Sequence, residues 1–270
     1  MLILGLLTGA AALAAAGSLA VAPPPPDAKF DYQIGADYPP PRGVTLVSRD
    51  WFMGSPLEGG YSICYVNAFQ TQPDDPGVER PDERSSWPRD LVLRGLGDDP
   101  DWGGEYLVDI RSAAKRRRAA AWIQPMIERC ADKGFDAVEY DNLDSWTRFD
   151  DTPLARRVPF GRGDAVAYAQ RLTERAHALG LAVAQKNTPG LTRRVARTRI
   201  GFDFAVAEEC ARYRECGAYR HLYGNRVIAI EYRRRDFRRA CRTVGPRVSV
   251  VLRDRGVSTA RVDAYRYRAC

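Results

Sequence analysis

The stretch KGFDAVEYDNLDSW (133–146) decides how the chain is read. Phe135 to Val138 form a short apolar run, and Glu139, Tyr140, Asp141 and Asn142 follow at once. A short apolar run bounded by turn residues reads as a buried strand. When it ends in carboxylates and amides, it reads as a strand running out into a polar cleft. Alternation along such a strand places Ala137, Glu139 and Asp141 on one face.

The same design recurs on both sides. Strands are expected near VTLVS (44–48), YSICYV (61–66), EYLVDI (105–110), DAVEY (136–140), AVAQK (182–186), DFAVA (203–207), VIAIE (227–231) and VSVVL (248–252). Between them, AAAWIQPMIERCADKG (119–134) and AVAYAQRLTERAHALG (165–180) space their apolar residues for amphipathic helices. Each closes on a glycine able to take the left-handed cap conformation. Strands alternating with helices predict an α/β chain folded as a (β/α)8 TIM barrel, with FDYQIG (30–35) as an extra N-terminal strand. Residues 27–270 are expected to form this one domain, without internal repeats.

The first 22 residues carry no charged side chain and end in Ala20-Val21-Ala22 before Pro23 to Pro26. Residues 1–26 therefore read as a secretion signal and a stiff spacer, or as an uncleaved anchor facing outside the cytoplasm. An exported chain can hold disulfides, and Cys210 and Cys216 are close enough in sequence to close a small loop. Pairing among Cys64, Cys130, Cys241 and Cys270 is not set by the sequence. With no CxxC pair and two histidines, no zinc site is expected, and nothing resembles a calcium loop. No glycine-rich phosphate loop follows the first strand, so no nucleotide cofactor is expected.

The net charge is +7, and all but four of the 41 basic residues are arginine. The densest cluster, RRRDFRR (233–239), lacks the aromatic-rich motif of a nucleic-acid binder and reads as a solvated helix face. The expected partner is a polysaccharide, bound by a monomer. A membrane enters only if the N-terminal segment stays attached.

In a (β/α)8 barrel the active site lies at the C-terminal ends of the strands. The residues there are polar: Asp50, Asn67, Asp109, Asp141 with Asn142, Lys186 with Asn187, Glu208 with Glu209, and Glu231 with Tyr232. Alternation taken through Ala205 and Ala207 puts Glu209 on their face. Two carboxylates on opposite arcs of such a rim are the minimum for glycoside hydrolysis. Other roles remain open for these residue types. An aspartate after a strand often caps the next helix, and Asp-Asn is ordinary turn chemistry. Lys186 also fits a Schiff-base lysine or a hydrogen-bonding rim residue. His177, in the middle of ERAHALG, reads as a packing residue.

Taken in order, FDYQIG, SICYVN, KGFDAVEYDN, ERAHALGLAVAQKN, FDFAVAEEC with a second cysteine at 216, and VIAIEY resemble glycoside hydrolase family 114, the endo-α-1,4-polygalactosaminidases. The resemblance runs from about Phe30 to Tyr232. It implies a secreted barrel that hydrolyses α-1,4-linked galactosamine polymers. It places the aspartate of the family's GFDG-x-E-x-DN motif on Asp141, as nucleophile, and the glutamate of its E-x-C motif on Glu209, as acid/base, for a retaining reaction. Around them, Asp50, Asp109 and Glu231 are expected to attract substrate ammonium groups. Tyr32, Tyr65 and Tyr232 are expected to stack on sugar, with Asn67, Asn142, Lys186 and Asn187 completing the binding set. The chain departs from the family pattern at AFQTQPDDPG, where Phe69, Gln70 and Gln72 stand in place of the usual glycine and glutamate. It departs again at Ala137, where glycine is usual. A non-catalytic carbohydrate-binding barrel, and an α-galactosidase or transglycosylase using the same pair, are the alternatives.

Overall fold

The computed structural model describes residues 21–72 and 87–270. Eight parallel strands run in sequence order around a nearly closed barrel: β1 (Phe30–Gln33), β2 (Leu46–Asp50), β3 (Tyr61–Val66), β4 (Ala137–Tyr140), β5 (Ala182–Lys186), β6 (Phe204–Glu208), β7 (Val227–Glu231) and β8 (Ser249–Arg253). A short ninth strand, β9 (Tyr267–Ala269), pairs antiparallel with β8. The helices are α1 (Ala113–Lys133), α2 (Arg162–Ala178), α3 (Cys210–Tyr213), α4 (Cys216–Tyr223) and α5 (Arg234–Thr243), with a π-helical turn at Arg194–Ile200.

The two long helices end as their sequences predict. Gly134 after α1 takes φ 87°, and Gly180 after α2 takes φ 79°. At the other end of α1, the Ser112 hydroxyl accepts the Lys115 amide. Helix α5 buries Asp236, Phe237 and Ala240 and leaves most of its arginines in water, as RRRDFRR implies.

Strand membership differs from the sequence reading at two places. FDYQ is no extra strand: it pairs parallel with β2, Phe30 opposite Leu46, and is the first strand of the barrel. EYLVDI makes only isolated antiparallel bridges, Leu107 to Gln70 and Val108 to Val92, inside the long β3-to-α1 connection. Its apolar residues are buried against the outer face of the barrel, which an alternating pattern cannot distinguish from membership of the sheet.

Two apolar layers hold the barrel. Phe30, Tyr32, Leu46, Ile63, Ala137, Ala184, Phe204, Val206, Ile230 and Val251 fill the interior. Val66, Val138, Val183, Ala205, Ala207, Ala229 and Leu252 face the helices. Strands buried on both faces are nearly apolar throughout, as parallel sheets require. The seam between β8 and β1 is closed by Arg253 and Asp31, both fully buried. Arg253 donates to Asp31 Oδ1 (2.9 Å), Ser258 O (2.7 Å) and Arg266 O (3.0 Å).

Three disulfides join Cys64 to Cys130, Cys210 to Cys216 and Cys241 to Cys270. The second is the loop anticipated from spacing. The first ties β3 to α1, and the third ties α5 to the end of the chain. The expected export segment lies outside the described residues except at its end. There Pro24 is buried and Tyr61 donates to the Ala22 carbonyl (2.7 Å), at the N-terminal end of β3. Among the described residues, no helix is long and apolar enough to cross a membrane.

Candidate active site

At the C-terminal ends of the strands the chain leaves β4, β5 and β6 through left-handed residues: Asn142 (φ 61°), Asn187 (φ 46°), Thr188 (φ 62°) and Glu209 (φ 52°). Non-glycine residues with positive φ concentrate where surrounding structure imposes them, often at functional sites. They surround a cleft of about 620 Å³.

Lys186 stands at its floor, with 1% of its surface exposed. Its Nζ lies 3.0 Å from Asp141 Oδ1, 3.4 Å from Glu208 Oε2 and 3.0 Å from the Tyr32 hydroxyl. Burial alone would discharge this lysine, but the carboxylates of Asp141, Glu208 and Glu139 raise its pKa well above the ordinary value. It remains an ammonium.

Asp141 is the counterpart. Burial pushes its carboxyl upward, yet Lys186, the Tyr65 hydroxyl and the Asn142 amide outweigh that and hold it below the usual aspartate range. Tyr65 Oη donates to Oδ2 at 2.7 Å, and the Asn142 amide donates to Oδ1 at 2.8 Å. Such charge-assisted bonds stabilise the ionised form.

Glu208 is fixed with equal care. Its Oε2 accepts from Asn187 Nδ2 (3.0 Å), its own amide donates back to Asn187 Oδ1 (2.9 Å), and Oε1 accepts the Tyr232 hydroxyl. Asp141 and Glu208 therefore meet around one ammonium.

Glu209 does not join them. It borders the cleft, but its carboxylate is held by Arg212 through two bonds of 2.8 and 2.7 Å. Ala205 and Ala207 do share the face of β6 that packs on the helices, but β6 ends at Glu208, and Glu209 turns left-handed (φ 52°) off that face to the edge of the cleft; Phe204, Val206 and then Glu208 point into the barrel. Alternation groups residues into faces without saying which face is inner. Counting glutamate-x-cysteine back from Cys210 gives Glu208, a signal available in the sequence.

Tyr32, Tyr65, Asn142, Asn187 and Tyr232 line the cleft as expected. Asn67 lies just beneath it, accepting from Asn142 Nδ2 (3.0 Å) and donating to Glu105 Oε2 (2.9 Å). Three expected carboxylates are employed elsewhere. Asp50 accepts the amides of Phe52 and Met53 and caps the turn after β2. Asp109 is ion-paired with Arg111 and Lys115 at the start of α1. Glu231 faces the helices and accepts the Ala211 amide (2.7 Å).

The carboxylates that do line the cleft beside the central two are Glu105, Asp144, Glu209 and Glu215. Burial lifts Glu105 to about 8 against the opposing bond from Asn67, and burial also raises Asp144. Glu105 and Asp144 come from long connections with no strand-end position to mark them. One further carboxylate, Glu139, sits fully buried beneath Asp141. Its Oε1 accepts the Ser48 hydroxyl (2.6 Å) and its Oε2 has no hydrogen-bond partner among the described residues. Burial pushes it up to about 7 despite Lys186. The described cysteines are all paired, so Cys210, Cys216 and Glu231 form no metal centre despite their proximity.

The sequence profile of Glycoside-hydrolase family GH114 matches residues 10–270. Among solved structures, Aspergillus fumigatus Ega3 in complex with galactosamine is similar over 96% of this chain and 99% of its own, with 21% identity and a TM-score of 0.69. The glycoside hydrolase domain of PelA from Pseudomonas aeruginosa is similar over 88% of this chain and 98% of its own, with 14% identity and a TM-score of 0.56. No curated protein sequence matches the chain.

Proposed function

Because the chain belongs to glycoside-hydrolase family GH114 and is a glycosidase, we propose that it cleaves α-1,4-linked galactosamine-type polysaccharide with Asp141 as nucleophile and Glu208, in place of Glu209, as acid/base. The observation that carries this reading is the shared contact of Asp141 and Glu208 with Lys186.

A glycosidase needs one carboxylate ionised at the anomeric carbon and one carboxylic acid at the leaving oxygen. Lys186, Tyr65 and the Asn142 amide keep Asp141 ionised. Tyr232 and Asn187 hold Glu208 in a fixed orientation, from which it can deliver a proton and later accept one from water. The oxygens in contact with Lys186, at 3.0 and 3.4 Å, are no farther apart than the sum of those contacts. That bound admits the roughly 5–5.5 Å separation of retaining pairs, and the anomeric configuration of the first product decides between a retaining, two-step reaction and an inverting one. A permanently charged Lys186 serves this role well and suits a Schiff-base lysine poorly, since that chemistry needs a depressed pKa.

The galactosamine held by Ega3 supports an amino-sugar substrate. So does the lining of the cleft, where the carboxyl oxygens of Asp144, Glu209 and Glu215 offer acceptors to ammonium groups, while Glu105, lifted to about 8, adds no charge at pH 7. Three disulfides support export to an oxidising compartment.

The test is reducing-end release from partly deacetylated α-1,4-galactosaminan by wild type, Asp141→Asn, Glu208→Gln and Glu209→Gln, with the anomeric configuration of the first product followed by NMR. Asp141→Asn and Glu208→Gln should lose at least about 10³-fold in kcat, and Glu209→Gln should stay within about tenfold of wild type. Loss in Glu209→Gln with retention in Glu208→Gln would reverse the assignment. A folded wild type that is inert on this polymer would sink the substrate.

A further inference from the structure

Four large apolar side chains are well exposed among the described residues: Met53, Trp102, Tyr213 and Val262. A single exposed apolar residue needs no explanation. Trp102 (42% exposed) and Tyr213 (56% exposed), however, both line the cleft.

Each ring is mounted on a fixed loop. Asp99, buried and held by Gln70 Nε2 and Arg148 Nε at 2.6 Å each, accepts the amides of Asp101 (2.8 Å) and Trp102 (3.0 Å). Tyr213 closes α3 inside the Cys210–Cys216 loop, next to Arg214 at φ 64°. Each ring also has an arginine over one face. Arg255 Cζ lies 6.0 Å from the Trp102 ring, and Arg212 Cζ lies 4.9 Å from the Tyr213 ring. These arginines are restrained in turn: Arg255 pairs with Asp101 (3.5 Å) and Arg212 with Glu209 (2.7 Å). Cation–π contact on one face leaves the other for a ligand. The two loops follow β3 and β6, three strands apart around the barrel.

We propose that Trp102 and Tyr213 are stacking platforms for sugar units on either side of the scissile bond, each ring held by an arginine that pairs with a neighbouring carboxylate. Glu209 is then a positioning residue that acts through Arg212 on Tyr213. The proposal rests on the glycosidase reading above. An aromatic ring offers a pyranose an apolar surface for its C–H face at little entropic cost when its loop is already fixed.

The experiment compares wild type, Trp102→Ala, Tyr213→Ala, Trp102→Phe, Tyr213→Phe and Glu209→Gln on partly deacetylated α-1,4-galactosaminan and on a short aryl α-galactosaminide, with folding checked by circular dichroism. Each alanine variant should raise KM for the polymer by about tenfold. The phenylalanine variants should recover most of that loss, and the effect on the short substrate should be several-fold smaller. Glu209→Gln should likewise raise the polymer KM, with kcat reduced far less than in Glu208→Gln. An unchanged polymer KM in both alanine variants, or equal losses on both substrates, overturns the proposal. If wild type cuts neither substrate, it is the glycan assignment that fails. The platforms are then judged by isothermal titration of the same variants with soluble α-glucan and α-galactan chains. Weaker binding by the alanine variants upholds them; equal binding, or none by wild type, overturns them.

Discussion

Lys186→Met keeps most of the length and apolar bulk of the side chain and removes its ammonium. In the wild type that ammonium is 1% exposed and lies 3.0 Å from Asp141 and 3.4 Å from Glu208. At an effective dielectric of about 20, the contact with ionised Asp141 is worth about 5 kcal/mol of attraction before desolvation is counted. The cost of burying the charges cancels much of it, and removing one partner of a buried pair typically costs about 3–5 kcal/mol. Asp141 is held below the ordinary aspartate range, so its share of stability is present above its unfolded pKa and is lost as pH falls. Lys186 is raised, so its share is present throughout the neutral range and is lost only at high pH. In the variant, Asp141, Glu208 and Glu139 face one another with no cation, and the cluster takes up a proton that the unfolded chain does not bind. Stability should therefore drop by about 3–5 kcal/mol at pH 7 and the deficit should shrink toward pH 5. Urea unfolding followed by tryptophan fluorescence, with the disulfides intact, measures it at each pH. A deficit below about 1 kcal/mol at pH 7, or one that does not change between pH 5 and 7, would refute the reasoning.

Three other perturbations follow from single contacts. Tyr65→Phe removes the 2.7 Å bond to Asp141 Oδ2 and should lower kcat/KM by about tenfold, with the acid limb of its pH profile displaced upward; an unmoved limb would separate Tyr65 from the Asp141 charge. Glu139 is pushed up to about 7 by burial, so it favours the folded state when protonated, and stability falls as pH rises from the ordinary glutamate pKa to about 7. Glu139→Gln should remove that slope and gain stability at pH 8, by roughly 3 kcal/mol at most, with no gain at pH 4; thermal scans at the two pH values decide. Asp31→Asn leaves buried Arg253 at the β8–β1 seam with Asp254, at 3.8 Å, as its remaining carboxylate and should cost about 3–5 kcal/mol in urea unfolding, whereas a loss under about 1 kcal/mol would mean that Asp254, Ser258 O and Arg266 O suffice.

Much of the site was legible before any coordinates. The run from Phe135 to Asn142 announced a strand opening into a cleft, and Asn142, Asn187 and Tyr232 were placed in it from strand ends, with Tyr32 and Tyr65 added as sugar-stacking residues alongside the family resemblance. Errors arose where a local pattern has two equally good tertiary partners. EYLVDI alternates like a strand, but its two bridges, Leu107 to Gln70 and Val108 to Val92, tie it to its own connection and not to the sheet. Asp50 and Asp109 follow strand-like segments as rim residues do, yet they satisfy a turn and a helix start. Glu231 fell on the wrong side of its strand because a period of two carries no sign.

The sequence by itself determined the alternation of strands and helices, their caps, the small Cys210–Cys216 loop and membership of GH114, because each depends on neighbours within a few residues or on an ordered series of motifs. Tertiary structure decided that Asp141 and Glu208 meet at Lys186, and which cysteines pair over longer distances. Those outcomes depend on the closing of the barrel, which turns one face of every strand inward and brings the ends of β4, β5 and β6 within hydrogen-bond reach. Contacts of that kind join residues far apart along the chain, and no local pattern encodes them.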